Sequence, residues 1–86
     1  MKSLARTLIW NACFLEFSDD SLLDPDAAVG QLERMASTLQ EASPEERAAF
    51  ILQCKVEAEG VSAEGSPRST EVAEFIRGLP EHFGLA

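Results

Sequence analysis

The aspartates at positions 19, 20, 24 and 26 come nearest to a chemical site, because closely spaced carboxylates are what a calcium loop uses. The EF-hand spacing fails, however. A loop opening at Asp20 would put Leu22 where the second oxygen ligand belongs, with Asp24 next, and it has no glutamate at its closing position. Cys13 and Cys54 are far apart and show no CxxC spacing, and His82 is the only histidine, so a zinc site lacks ligands. Both cysteines are expected to be buried thiols. His82 stands beside Phe83 near the end of the chain with no identifiable serine or cysteine partner for general-base work. The glycines form no phosphate-cradling loop. The chain is therefore expected not to be an enzyme, and no catalytic residue, metal or cofactor is assigned to it.

The charge balance points to binding. Fifteen acids against seven bases give a formal net charge of -8. Such a surface repels nucleic acid and anionic membrane and favours a basic protein partner. The acids are also unevenly placed. Between Thr7 and Glu33 there is no Lys or Arg, while Glu16, Asp19, Asp20, Asp24, Asp26 and Glu33 all fall there. One reading of this corner is structural: acids cap a helix and favour its positive end. The other is functional: they steer a basic partner.

The elements that would position these residues are helices, and almost nothing reads as strand. Asp24-Pro25-Asp26 is a start signal, with Asp24 as N-cap and Pro25 at the first helical position, for a helix running to about Glu41. Ser43 and Glu46 have capping-box spacing and open a third helix that Gly60 should end. Residues 59–67, with Gly60, Gly65 and Pro67, read as a flexible loop. A short fourth helix would carry Val72, Phe75, Ile76 and Leu79, with Gly78 and Pro80 preventing its continuation. The tail from Glu81 to Ala86 either docks through Phe83 or frays.

Helix one, over about Leu4 to Phe17, has more apolar surface than one face can hold. At about 100° per residue, Leu4, Leu8, Ala12 and Leu15 make one stripe. Trp10, Phe14 and Phe17 make a second at i, i+4, i+7. Helix three repeats the excess, with Ala49, Leu52 and Val56 on one side and Phe50, Ile51, Cys54 and Ala58 on another. Helices one and three should thus be central. Either helices two and four cover the second stripes, or those stripes bind another copy or a different protein.

The string Phe14-Leu15-Glu16-Phe17-Ser18-Asp19-Asp20, then Asp24-Pro25-Asp26-Ala27-Ala28-Val29, Ala36-Ser37-Thr38-Leu39-Gln40 and Ser43-Pro44-Glu45-Glu46, resembles small acidic bacterial immunity proteins. These accompany polymorphic or type VI secreted toxins. The resemblance spans about residues 10–52 and weakens beyond Gly60. It implies a protein that binds a cognate toxin directly and blocks its active site or the access of its substrate.

The expected fold is all-α, a small single-domain bundle of three longer helices and one short C-terminal helix. Asp19, Asp20, Asp24 and Asp26 are the expected steering charges, with Glu16 in support, and Trp10, Phe14 and Phe17 the apolar anchors if they are not in the core. The alternative is a self-associating adaptor or regulator, a homodimer whose second stripes meet. Lys2 and Arg6 before an apolar stretch faintly imitate a leader, but Asn11 and Glu16 interrupt it, and the longest unbroken apolar run is Ala48 to Leu52. A cytoplasmic protein is expected, with neither membrane nor nucleic acid as partner.

Overall fold

A computed structural model of the chain describes residues 2–19 and 21–85. It contains α1 (Lys2–Phe17), α2 (Pro25–Gln40), α3 (Pro44–Ser62) and α4 (Pro67–His82), with no strand among the described residues. No helix there is long and apolar enough to cross a membrane.

Three helices start by the same chemistry. Asp24 accepts from the Ala27 amide at 3.3 Å and Pro25 follows it. Ser43 and Glu46 form the reciprocal capping box, at 3.0 and 3.1 Å, with Pro44 between them. Ser66 and Ser69 repeat the arrangement at 2.9 and 3.0 Å, with Pro67 at the first position. Each cap satisfies backbone donors that have no intrahelical partner, and each proline occupies a position where a missing N–H costs nothing.

The fourth helix is not short: α4 has 16 residues, as many as α1 and α2. Ser66-Pro67 starts it well before its apolar set, and α3 runs through Gly60 to Ser62, so the expected loop shrinks to residues 63–66. Gly60 does not stop α3 because a helical glycine costs only about 1 kcal/mol relative to Ala. Pro80 sits in the last turn, where few helical bonds remain to be lost. The stop comes later. Leu85 N–H donates to the Pro80 carbonyl at 2.8 Å and Gly84 N–H to that of Glu81 at 3.0 Å, with Gly84 at φ +76°. That is the Schellman arrangement, and it holds the tail in place.

The tail docks through Phe83. Its ring is buried and stacks with that of Phe50 at 6.2 Å between centroids, and the Gln40 amide donates to its carbonyl at 2.8 Å. Around this pair the core gathers Ile9, Ala12 and Cys13 from α1, Cys54 and Ala58 from α3, and Ile76 and Leu79 from α4. The most extensive helix contact joins α3 to α4. α1 touches all three other helices, while α2 packs chiefly on α1.

The inward seam of α1 is Ala5, Ile9, Ala12 and Cys13. It takes Ala12 from the first stripe expected from the sequence and otherwise falls between the two stripes. Leu8 and Leu15 are half-buried on one flank, and Leu4, assigned to the same stripe, is 69% exposed. Small residues at Ala5 and Ala12, facing a core that includes Ala58 and Ala73, let the helices approach closely, so the larger side chains are displaced to the margins.

Candidate partner-binding face

Trp10 and Phe14 lie outside the core. Trp10 is 42% exposed and Phe14 59%, and neither α2 nor α4 covers them. With Ser3, Arg6, Thr7 and Asn11 they line an open groove of about 620 Å³ along α1. Phe17, the third member of that stripe, behaves differently. It is half-buried, meets Phe75 edge-on at 5.4 Å, and carries the Arg68 guanidinium over its ring at 4.7 Å. Phe17 is therefore packed as part of the fold, unlike the two open aromatics.

Glu57 fixes the groove from the α3 side. Its side chain, 13% exposed, takes the Arg6 guanidinium at 2.7 Å, the Gln53 amide at 2.9 Å and the Trp10 indole N–H at 3.3 Å. Three donors on one carboxylate tie α1 to α3 and set the orientation of the indole. In the sequence Glu57 stands between the two apolar sides of helix three, beside Val56 and Ala58.

The acids at the other end of α1 are solvent-exposed: Glu16, Asp19, Asp24 and Asp26. Asp20 lies outside the described residues. Two of the four already have local work. Asp24 caps α2. Asp19 accepts from both the hydroxyl and the amide of Ser21 while its carbonyl accepts from Leu22 and Leu23, closing the turn between α1 and α2. The Ser21 hydroxyl, and then its amide, hold the Asp19 carboxyl below the usual carboxylate range. Glu16 and Asp26 carry charge with no such duty, Asp26 in the favourable first turn of α2. From α4, Arg68 arrives beside Phe17, paired with Glu71 at 3.7 Å, and Glu74 shares a surface pocket with Glu16.

On α3, Leu52 and Val56 are 62% and 47% exposed. Both helices expected to be central thus leave large apolar side chains uncovered in the single chain, Trp10 and Phe14 on α1 and Leu52 and Val56 on α3.

The two cysteines are buried and unpaired. Burial and the nearby Glu16 push the Cys13 thiol up to about 11; burial and the neighbouring Cys13 push Cys54 up to about 12. Neither is a thiolate at neutral pH, so neither is poised as a nucleophile. His82 is exposed at the end of α4, with its ring 6.2 Å from that of Phe83. Among the described residues no three His, Cys, Asp or Glu side chains are grouped to hold a metal ion.

Comparison of the chain with protein-family models, curated proteins and solved structures finds no match.

Proposed function

We propose that this protein is a bacterial immunity protein, which binds a cognate toxin by direct contact and blocks its active site or the access of its substrate. It acts in the cytoplasm of the cell that carries the toxin, and the toxin presents a basic surface. The observation that carries the reading is an uncovered aromatic pair on α1, Trp10 and Phe14, in a chain whose exposed acids Glu16 and Asp19 lie at and just beyond the end of that helix. Acids attract and orient a basic partner over a distance, and aromatic side chains then supply contact area at low entropic cost. The likeness of residues 10–52 to small acidic immunity proteins supports the same reading. The test is protection: a toxin gene neighbouring this one should arrest growth when expressed alone and not when this protein is co-expressed. Growth arrest despite co-expression, with no complex formed, would refute it.

A self-associating regulator is the second reading. Leu52 and Val56 favour it, since an apolar side on α3 adds to that on α1. Against it stands the charge: two copies bring -8 against -8. Sizing the free protein separates the two, because a stable dimer at micromolar concentration belongs to the second reading alone.

A further inference from the structure

The groove on α1 is asymmetric in its hydrogen-bonding chemistry. The Thr7 hydroxyl donates to the Ser3 carbonyl at 2.9 Å, the Asn11 amide nitrogen to the Thr7 carbonyl at 2.8 Å, and the Trp10 indole N–H to Glu57 at 3.3 Å. These bonds turn the Thr7 hydroxyl, the indole N–H and one of the two Asn11 N–H groups to the protein's own acceptors. The Thr7 Oγ1 lone pairs and Asn11 Oδ1 remain to receive bonds, in the same lining as the rings of Trp10 and Phe14. A lining of aromatic faces with acceptor oxygens beside them suits a ligand that is flat, cationic and rich in donors. The one cation lining the groove, Arg6, is paired with Glu57 at 2.7 Å and so has its charge met within the protein.

The same helix shows how such a ligand sits. Phe17, one turn beyond Phe14, already carries an arginine, Arg68, over its ring at 4.7 Å. Trp10 and Phe14 are the members of that aromatic stripe left without a cation.

We infer that the ridge between Trp10 and Phe14 is an arginine-binding face: it takes a guanidinium from a basic partner, stacked on the aromatic rings and hydrogen-bonded to Thr7 Oγ1 and Asn11 Oδ1. The inference rests on the basic-partner reading and adds which cation is chosen. Lysine, a compact and strongly hydrated ammonium, stacks less well and offers no planar fork to the two oxygens.

The test is a pair of titrations on the full chain at low salt, with short peptides of alternating glycine and arginine, or glycine and lysine, matched in length and charge. Trp10 is the reporter, being the sole tryptophan in a chain that has no tyrosine. The arginine peptide should bind about two- to five-fold more tightly than the lysine peptide and change the Trp10 emission, and Phe14→Leu should abolish that preference while leaving lysine-peptide binding in place. Equal binding of the two peptides, or an arginine preference unchanged in Phe14→Leu, would overturn the arginine-binding face and leave the basic-partner reading standing. Binding of neither peptide would overturn both.

Discussion

The indole N–H of Trp10 donates to the carboxylate of Glu57, 47 positions along the chain, at 3.3 Å. The contact holds the largest exposed aromatic of α1 in one orientation by a carboxylate of α3 that also neutralises Arg6. An exposed tryptophan so tied loses less freedom when a partner covers it, and this lowers the cost of association. Glu57→Ala leaves three donors without their acceptor. It is expected to destabilise the fold by about 1 to 2 kcal/mol, a modest figure because Arg6 is half-exposed and its pairing is screened by solvent. Urea denaturation measures the loss, and the Trp10 emission should move to the red in the folded state.

The aromatic stripe divides by role, so its members should respond differently to truncation. Phe17→Ala removes the edge contact with Phe75 and the seat of Arg68, and a loss of about 2 to 3 kcal/mol is expected from a half-buried ring. Phe14→Ser, at a site 59% exposed, should change stability by less than about 0.5 kcal/mol. Chemical denaturation of the two variants distinguishes them. Equal losses would mean that Phe14 is packed as Phe17 is.

Two glycines make opposite predictions. Gly84 sits at φ +76° and an added Cβ would lie 3.0 Å from the Gln40 amide nitrogen, so Gly84→Ala should destabilise by about 1 to 2 kcal/mol. Gly60 is inside α3 with nothing within 4 Å of an added Cβ. Gly60→Ala should therefore stabilise by up to about 1 kcal/mol, read as a shift of the urea midpoint at constant slope.

Legibility followed the range of the interaction. Asp24-Pro25 and Ser43-Pro44 were readable because a cap and its proline act within one turn, and Ser66-Pro67 has the same chemistry but was passed over beside Gly60 and Gly65. Gly78 and Pro80 read as breakers in the sequence, whereas the helix end depends on Gly84, whose left-handed backbone only the structure reveals. On α1 the excess of apolar surface was visible, and so was the pairing of Trp10 with Phe14. Which sector faces inward was not, since it depends on small alanines meeting across three helices. Glu57 and Arg68 join the site by long-range contacts that no local pattern encodes.

The thiols supply a pH prediction. With Cys13 at about 11 and Cys54 at about 12, alkylation of the folded protein by iodoacetamide should be negligible at neutral pH and stay slow well above the pH where a free cysteine reacts. The sign for stability follows from the same shifts. A thiol whose folded value lies above its unfolded one is lost to stability as pH rises past the unfolded value, so the fold should weaken in the alkaline range. Mass spectrometry after timed alkylation, with and without denaturant, reads the first effect. Rapid labelling of both cysteines in the native protein would contradict their burial.

For the acids, the informative variants are Glu16→Lys and Asp26→Lys, because Asp19 and Asp24 are also needed by the turn and the cap. Reversing the two charges should slow association with a basic toxin at low salt and flatten its salt dependence, with a smaller effect on dissociation. Stopped-flow mixing measures both rates. An unchanged association rate would remove the acidic corner from the mechanism.

The most direct measurement of the central claim is capture from a lysate of the protein's native cells by tagged wild-type protein and, in parallel, by Phe14→Ser. The captured protein is then expressed alone and together with the bait. The account predicts one larger protein held by the wild type at near-equal stoichiometry, lost with Phe14→Ser, and toxic unless this chain is co-expressed. A bait that returns only itself, as a dimer, or a captured protein whose binding ignores Phe14 and whose expression harms no cell, would contradict it.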